Sequence, residues 1–142
     1  MDEPLGEDVG EVSDDVLGAL RAICLALPET HEEPAWVGRR WCVRKKTFAH
    51  VFHADHDSTP SLVKVARALG PSTMLVFRSG GEELDVLRHQ GPPFFYAGWG
   101  RDVVSLRLDD DTDWDEVEEL LTESYCRMAP KKLQARVDRP DG

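Results

Sequence analysis

Three histidines recur at three-residue intervals, at His50, His53 and His56, with Asp55 and Asp57 beside them. Imidazole and carboxylate groups at close spacing are typical of sites for divalent metal ions. The segment that carries them alternates like a β-strand, and an odd offset along a strand points two side chains to opposite faces. His50 and His53 then cannot share one ion, so the sequence predicts no metal site, and no cofactor.

A dense acidic run lies between residues 109 and 119, where eight of eleven positions are Asp or Glu. Such a run could supply oxygen ligands to Ca²⁺, but it lacks the glycine at the sixth position and the glutamate at the twelfth that a calcium loop needs. Thr112 or Asp113 is better placed as the N-cap of a helix, whose positive end favours the acids that follow. We therefore predict a capped helix start here.

Groups for covalent catalysis are not arranged in any recognisable motif. The sequence has no G-x-S-x-G elbow and no Cys beside a likely His, and acids follow the glycine pair Gly80–Gly81. Acidic groups at that position would repel the phosphate that a glycine-rich loop normally binds. We therefore predict that the protein is not an enzyme.

Basic residues cluster in two segments of the chain. The first cluster holds five bases and no acid within eight residues, namely Arg39, Arg40, Arg44, Lys45 and Lys46, and the second, Lys131, Lys132, Arg136 and Arg139, closes the chain. Lys and Arg on a β-hairpin can bind a nucleic-acid backbone, whereas the alternative is a solvated hairpin whose charges block edge pairing. The sequence pattern alone favours the solvated hairpin; if the hairpin binds DNA, the first cluster is expected to contact phosphates, flanked by Arg101, Lys131 and Lys132.

Four of the eleven aromatic residues, Phe94, Phe95, Tyr96 and Trp99, fall within six positions. Exposed rings on a sheet can stack bases, but large aromatic residues at the entry to a strand more often pack in the core. We predict that Phe94 and Phe95 pack in the core. Tyr96 and Trp99 are the patch expected if the protein instead binds another protein or a small ligand and has no nucleic-acid role.

The bulk composition is that of one soluble domain. The chain has 142 residues, 41% of them hydrophobic, and a net charge of −10 that falls to −3 without the first fifteen residues. No apolar run is long enough to cross a membrane, and the acidic N-terminus does not resemble a secretory signal. The three cysteines are widely spaced and should be buried free thiols. These features predict a cytoplasmic protein with no membrane partner.

Periodicity predicts helices and strands around these residues. Helices are expected from Ser13 to Pro28, after Gly81 and after Asp113, and strands around Trp41, around Phe48, and at 61–66, 73–79 and 102–108. Because most strands follow one another without a crossover helix, we predict an α+β two-layer sandwich. Its antiparallel sheet would have about five strands, with helices packed mainly on one face. The segment Pro28–Trp36 is predicted to be a linker.

The domain boundaries follow from the charge and the turn residues. Residues 1–12 are acidic with few apolar side chains, which is typical of a disordered arm. Residues 13–135 form the single predicted domain. Residues 136–142 are predicted to be a flexible tail.

Several segments together resemble the MmcQ/YjbR-like family of small bacterial proteins. They are ICLALPETHEE, VRKKTFAHVFHAD, PPFFYAGWGRDVVSLRLDD and WDEVEELLTESYCRMAPKKL, in that order. The resemblance spans about residues 14–135 and is most specific in the last segment. It carries no catalytic motif.

The resemblance implies a compact α+β domain and a DNA-binding role. Members of that family are commonly described as DNA-binding through a "double wing", in which β-hairpins project toward the duplex. The hairpin tip at Arg44–Lys46 fits one wing, and the turn at Gly98–Arg101 is the candidate for the second. The implied function is non-catalytic binding to double-stranded DNA.

Overall fold

The structure is a computed structural model that describes residues 12–35, 37–54, 63, 66–67, 70–96 and 98–137. Within these residues, no helix combines the length and the apolar character needed to cross a membrane. The described residues form one antiparallel sheet and its packed helices.

Four helices and six strands are described. In chain order they are α1 (Asp14–Cys24), β1 (Thr30–Pro34), β2 (Arg39–Val43), β3 (Lys46–Ala54), β4 (Ser72–Arg78), α2 (Gly81–Gln90), β5 (Phe94–Phe95), β6 (Val103–Leu108), α3 (Trp114–Met128) and α4 (Lys131–Gln134). The sheet order is β1-β2-β3-β4-β6-β5, and every neighbouring pair is antiparallel. The predicted α+β class is confirmed, with six strands where about five were expected.

Both long helices begin at side-chain caps that their sequences predict. The Ser13 hydroxyl accepts a hydrogen bond from the Val16 amide at 3.2 Å at the start of α1. The Asp113 carboxylate accepts from the Asp115 and Glu116 amides at the start of α3, at 3.1 and 3.2 Å. These bonds satisfy amides that have no partner inside the helix.

The main core lies between one face of the sheet and the helices. Residues from all four described helices pack there against the sheet, among them Leu20, Leu87, Tyr125 and Leu133. The Tyr125 ring meets Phe48 edge to face at 5.4 Å. A smaller cluster of Phe52, Ala54 and Met74 lies on the opposite face, so that face also excludes water.

One strand was not predicted, and one predicted strand has no support. Residues 30–34 form edge strand β1, although the sequence there was predicted to be a linker. Polar, charged and proline residues are tolerated on an edge strand because one side of its backbone needs no partner. Most of the strand predicted at 61–66 lies outside the described residues, and the two that are described, Val63 and Ala66, are helical.

The predicted domain limits fall close to the ends of the described chain. Residues 1–11 and 138–142 lie outside the described residues, whereas Val12 is buried and Val137 packs against the main core. Folded structure therefore begins before Ser13 and continues to Val137. All three cysteines are free and buried, as predicted.

Candidate nucleic-acid interface

The antiparallel order brings several separate chain segments to one end of the sheet. β3 begins at Lys46, β4 ends at Arg78 and β6 begins at Val103, which pairs with Arg78. The last turns of α3 lie there too, because the Ser124 hydroxyl donates to the Phe48 carbonyl at 2.6 Å and accepts from the Arg78 amide at 2.8 Å. The β2–β3 hairpin tip, at the predicted Arg44–Lys46, lies at this same end.

Nine basic residues come together here, and we call them the basic end. They are Arg44, Lys45, Lys46, Arg78, Arg101, Arg127, Lys131, Lys132 and Arg136. All except the half-buried Arg78 are exposed. Six of the nine were predicted as contacts, whereas Arg78, Arg127 and Arg136 were not, because only the strand register and the path of α3 place them beside the hairpin.

Two carboxylates of the basic end are each shared between two arginines. Glu29 Oε1 accepts from Arg44 Nε at 2.9 Å, and its Oε2 lies 3.8 Å from Arg136 Nη1. Asp102 Oδ1 accepts from Arg78 Nη1 at 2.9 Å, and its Oδ2 lies 3.9 Å from Arg127 Nη2. Four positive charges are thus held by two negative ones.

The contact at Glu29 also joins the two basic clusters of the sequence. Arg44 belongs to the hairpin and Arg136 to the C-terminal segment, and both lie on the same glutamate. The Tyr125 hydroxyl fixes this corner by donating to the Pro28 carbonyl at 2.7 Å. The hairpin tip at Arg44–Lys46 and the described C-terminal bases Lys131, Lys132 and Arg136 therefore lie at the same end of the sheet.

Other acids reduce the excess of positive charge but do not remove it. Glu82 and Glu83 lie in the first turn of α2, directly after β4, and the Ser79 hydroxyl donates to Glu83. With Glu29, Asp102 and Glu123, which lies one turn before Arg127 in α3, they make five acids against nine bases among the described residues at this end. The basic end keeps a positive charge although the whole chain is acidic.

Arg39 and Arg40, two further predicted contacts, do not lie at the basic end. They lie at the start of β2, where the β1 register places Glu32 and Glu33 beside them. Arg39 Nε donates to Glu32 Oε2, and Arg40 donates to Glu33 Oε1 at 2.6 and 3.0 Å. Each of these two arginines therefore has a carboxylate partner on the neighbouring strand, although Glu32 also pairs with Arg21.

Glu32 connects α1 to the sheet on the helix-covered face. It accepts from Arg21 Nε and Nη2 at 2.8 and 2.9 Å, from Arg39, and from the Trp41 indole at 3.2 Å. The hydrogen bonds from Arg21 hold the pKa of Glu32 below its usual value, and Arg39 adds to this against the opposing effect of burial. This arrangement is a structural ion-pair cluster.

The opposite end of the sheet is acidic. A depression of about 330 Å³ lies there, lined mainly by the end of β6 and the turn before α3. Its charged lining residues are Arg107, Asp109, Asp111, Asp113 and Glu116. The described domain is therefore polarised along its strands, with acids at one end and bases at the other.

The four aromatic residues between positions 94 and 99 are divided between the core and the surface. Phe94 is buried in the main core as predicted, and Phe95 packs against the cluster on the opposite face. The Tyr96 hydroxyl is directed to the carbonyls of Gly100 and Arg101, at 3.2 and 3.0 Å. Trp99 is 36% exposed and packs against Phe52, with ring centroids 6.0 Å apart.

The histidines of β3 point to opposite faces, as the strand spacing predicts. His50 Nε2 lies 2.6 Å from the Val37 carbonyl, and His53 Nδ1 lies 3.4 Å from the Thr73 hydroxyl. Burial lowers the pKa of His50, with a further contribution from Arg40, against the hydrogen bond to Val37. His56, Asp55 and Asp57 lie outside the described residues.

Comparison with known proteins gives one result. No curated protein and no solved structure matches the chain. A family model described as YjbR matches residues 25–127, a span that runs from the end of α1 to the last turn of α3 and includes the whole described sheet. The chain therefore belongs to the YjbR family.

Proposed function

We propose that this protein is a non-catalytic, cytoplasmic protein that binds the sugar-phosphate backbone of double-stranded DNA with its basic end. The observation that carries the proposal is the uneven pairing of charge at that end. Glu29 and Asp102 are each shared by two arginines, while Lys45 and Lys46 form no ion pair with any described residue. These cations are available to a polyanion.

The chemistry of the basic end favours phosphate over base edges. Lysine is a flexible point charge that contacts phosphate without reading sequence. The turn that carries Arg101 leads directly into β6 and is next to Asp102 and its two arginines, which supports the proposal that this turn acts as the second wing. Binding through several such cations releases counterions, so its affinity should fall steeply with salt.

The test measures the affinity of the full-length chain for a random duplex by fluorescence anisotropy between ~50 and ~200 mM salt. The double variant Lys45→Gln/Lys46→Gln should bind more weakly, because each lost phosphate contact reduces the slope of log K against log salt by ~0.9. We therefore expect a slope shallower by about 1.8 than that of the parent.

The matched control is Arg40→Gln/Arg107→Gln, which lowers the net charge by the same two units. Arg40 is paired with Glu33, and Arg107 lies 3.5 Å from Asp109 at the opposite, acidic end of the sheet. The control should keep the parental slope. Absence of salt-dependent binding in the parent, or an equal loss in both double variants, would overturn the proposal.

The alternative function is binding of a protein or small ligand at Tyr96 and Trp99. It predicts that the parent does not bind DNA. Trp99 is the more accessible of the two, and its fluorescence would report a partner. If DNA binding is absent in the parent while Trp99→Ala abolishes capture of a partner, the aromatic patch replaces the basic end as the site.

A further inference from the structure

Three side chains with metal-binding atoms meet on the face of the β1–β2 ribbon that carries Arg40. His31 and Cys42 are direct cross-strand partners, and Glu33 follows His31 by two residues, so all three point to the same face. One ligand atom from each lies within 4.8 Å of the others. This cluster is separate from the basic end and from the Glu32 cluster on the opposite face.

The spacing of the three ligand atoms is close to what a small cation requires. His31 Nε2 and Glu33 Oε2 are 2.8 Å apart. Bond lengths of ~2.0–2.3 Å in a tetrahedral zinc site place ligand atoms ~3.3–3.8 Å from one another. Adjusting the 2.8 Å contact and the other separations, all within 4.8 Å, to that range takes shifts of up to about 1 Å in the His31 and Glu33 side chains, which would open the cluster around a metal ion.

The surroundings orient the donors and leave one side open. Arg40 occupies Glu33 Oε1, so the other oxygen, Oε2, is directed to His31. Cys42 Sγ lies 3.6 Å from the Thr47 hydroxyl at the back of the cluster. The His31 and Glu33 side chains are 48% and 35% exposed, so an ion and a water ligand can enter from solvent.

The donor set indicates which ion would bind. One imidazole, one carboxylate and one thiolate form a mixed nitrogen, oxygen and sulfur set, which favours Zn²⁺ over Mg²⁺ or Ca²⁺ because the last two prefer oxygen alone. Three protein ligands with a fourth open position are typical of zinc sites that keep a bound water. We propose that His31, Glu33 and Cys42 form a Zn²⁺ site at the edge of the sheet, with a water as the fourth ligand.

Binding would exchange protons for the metal. The Cys42 thiol releases its proton to solvent to become a thiolate. His31 takes the tautomer with its proton on Nδ1, by exchange with solvent, so that Nε2 and Glu33 Oε2 give up their contact and each bind the metal through a lone pair. The site is independent of the proposed DNA interface, since none of its three residues belongs to the basic end. Its failure and the failure of DNA binding are therefore separate results.

The first experiment titrates the purified full-length chain with Co²⁺ as a spectroscopic substitute for Zn²⁺. Coordination by Cys42 should produce a near-ultraviolet thiolate-to-cobalt charge-transfer band that saturates at one ion per chain and is displaced by Zn²⁺. Cys42→Ser should abolish the band. Because Cys42 is buried and its replacement could disturb folding, His31→Gln provides a second test at an exposed position, with a loss of more than tenfold in affinity.

The matched controls are Cys126→Ser and His89→Gln, which remove a thiol and an imidazole outside the cluster. Both should keep the band and the affinity of the parent, and circular dichroism should show that every variant is folded. The absence of a charge-transfer band in the parent would overturn the proposal. Its persistence in folded Cys42→Ser, or unchanged affinity in His31→Gln, would do the same.

Discussion

The five bases between residues 39 and 46 are one cluster in sequence but two regions in the structure. Arg39 and Arg40 lie in strand β2, where each has a carboxylate partner on β1, namely Glu32, which Arg21 also shares, and Glu33. Arg44, Lys45 and Lys46 lie at the hairpin tip, where the only described ion pair is that of Arg44 with Glu29. The partner strand, rather than the density of basic residues, decides which of these charges are available for binding.

The two regions therefore differ in what their charges do. In the strand region, charge holds elements together, because Glu32 joins α1, β1 and β2 through Arg21, Arg39 and Trp41. At the tip, exposed cations remain in excess, and unpaired exposed charge contributes to the surface potential rather than to stability. Substitutions in the strand region should change the free energy of unfolding, and those at the tip should change binding.

The largest effect is expected at Glu32. The Glu32 carboxylate is 12% exposed and lies between Arg21 and Arg39. Glu32→Gln removes its negative charge, so both guanidinium groups lose their anionic partner. We expect the free energy of unfolding to fall by about 2 kcal/mol, the cost of breaking a partly buried ion pair. Urea denaturation followed by circular dichroism measures this loss.

The control for that experiment is the neighbouring Glu33→Gln, measured with a chelator present. Glu33 faces the opposite side of the sheet, and its bonds to Arg40 and His31 are more exposed to solvent. The loss of stability should be much smaller than for Glu32→Gln. Equal losses at the two positions would show that the strand region does not depend on the Glu32 cluster.

A smaller effect, of opposite sign, is expected at the basic end. Glu29→Gln frees Arg44 and Arg136 from the carboxylate that they share. We expect tighter DNA binding by about three- to fivefold, which corresponds to one or two exposed ion pairs. Fluorescence anisotropy at a fixed salt concentration measures the change, and Glu33→Gln should leave the affinity unchanged. Weaker binding by Glu29→Gln would mean that Glu29 positions the arginines instead of competing with DNA.

The sequence predicts much of the fold because most elements carry a local signal. Short segments of the chain are enough to predict the Ser13 and Asp113 caps, the hairpin tip and the alternation of β6. Each of these features is found in the structure. Strand β1 carries no such signal, since Thr-His-Glu-Glu-Pro has neither apolar alternation nor a run of β-branched residues. It pairs because β2 presents complementary charges and a free edge.

The functional surface was predictable only in part for the same reason. The exposure of the Arg44–Lys46 tip follows from the hairpin itself, so it could be predicted. Three other contacts depend on the position of β1. They are the ion pairs of Arg39 and Arg40 with β1, the approach of Arg136 to Glu29, and the contact of His31 with Cys42. Because the sequence did not predict strand β1, it could not predict these contacts either.

The smallest expected effect concerns His50, which lies beside Arg40 in the strand region. Burial lowers its pKa from the usual 6.5, so the unfolded chain binds a proton more readily than the folded one. The stability due to neutral His50 is therefore complete above pH 6.5 and declines as the pH falls toward the lower folded pKa, by at most ~1.4 kcal/mol per pH unit.

His50→Gln tests this expectation because a glutamine amide can still donate to the Val37 carbonyl but does not titrate. Urea denaturation at pH 7.5 and at pH 5.5 should show a smaller loss of stability in the variant than in the parent (values chosen about one unit either side of the usual histidine pKa). His89→Gln, at an exposed position on α2, should retain the parental pH dependence. An unchanged pH dependence in His50→Gln would mean that the folded protein accepts the charge at His50, and that the strand region is less closed to water than its ion pairs indicate.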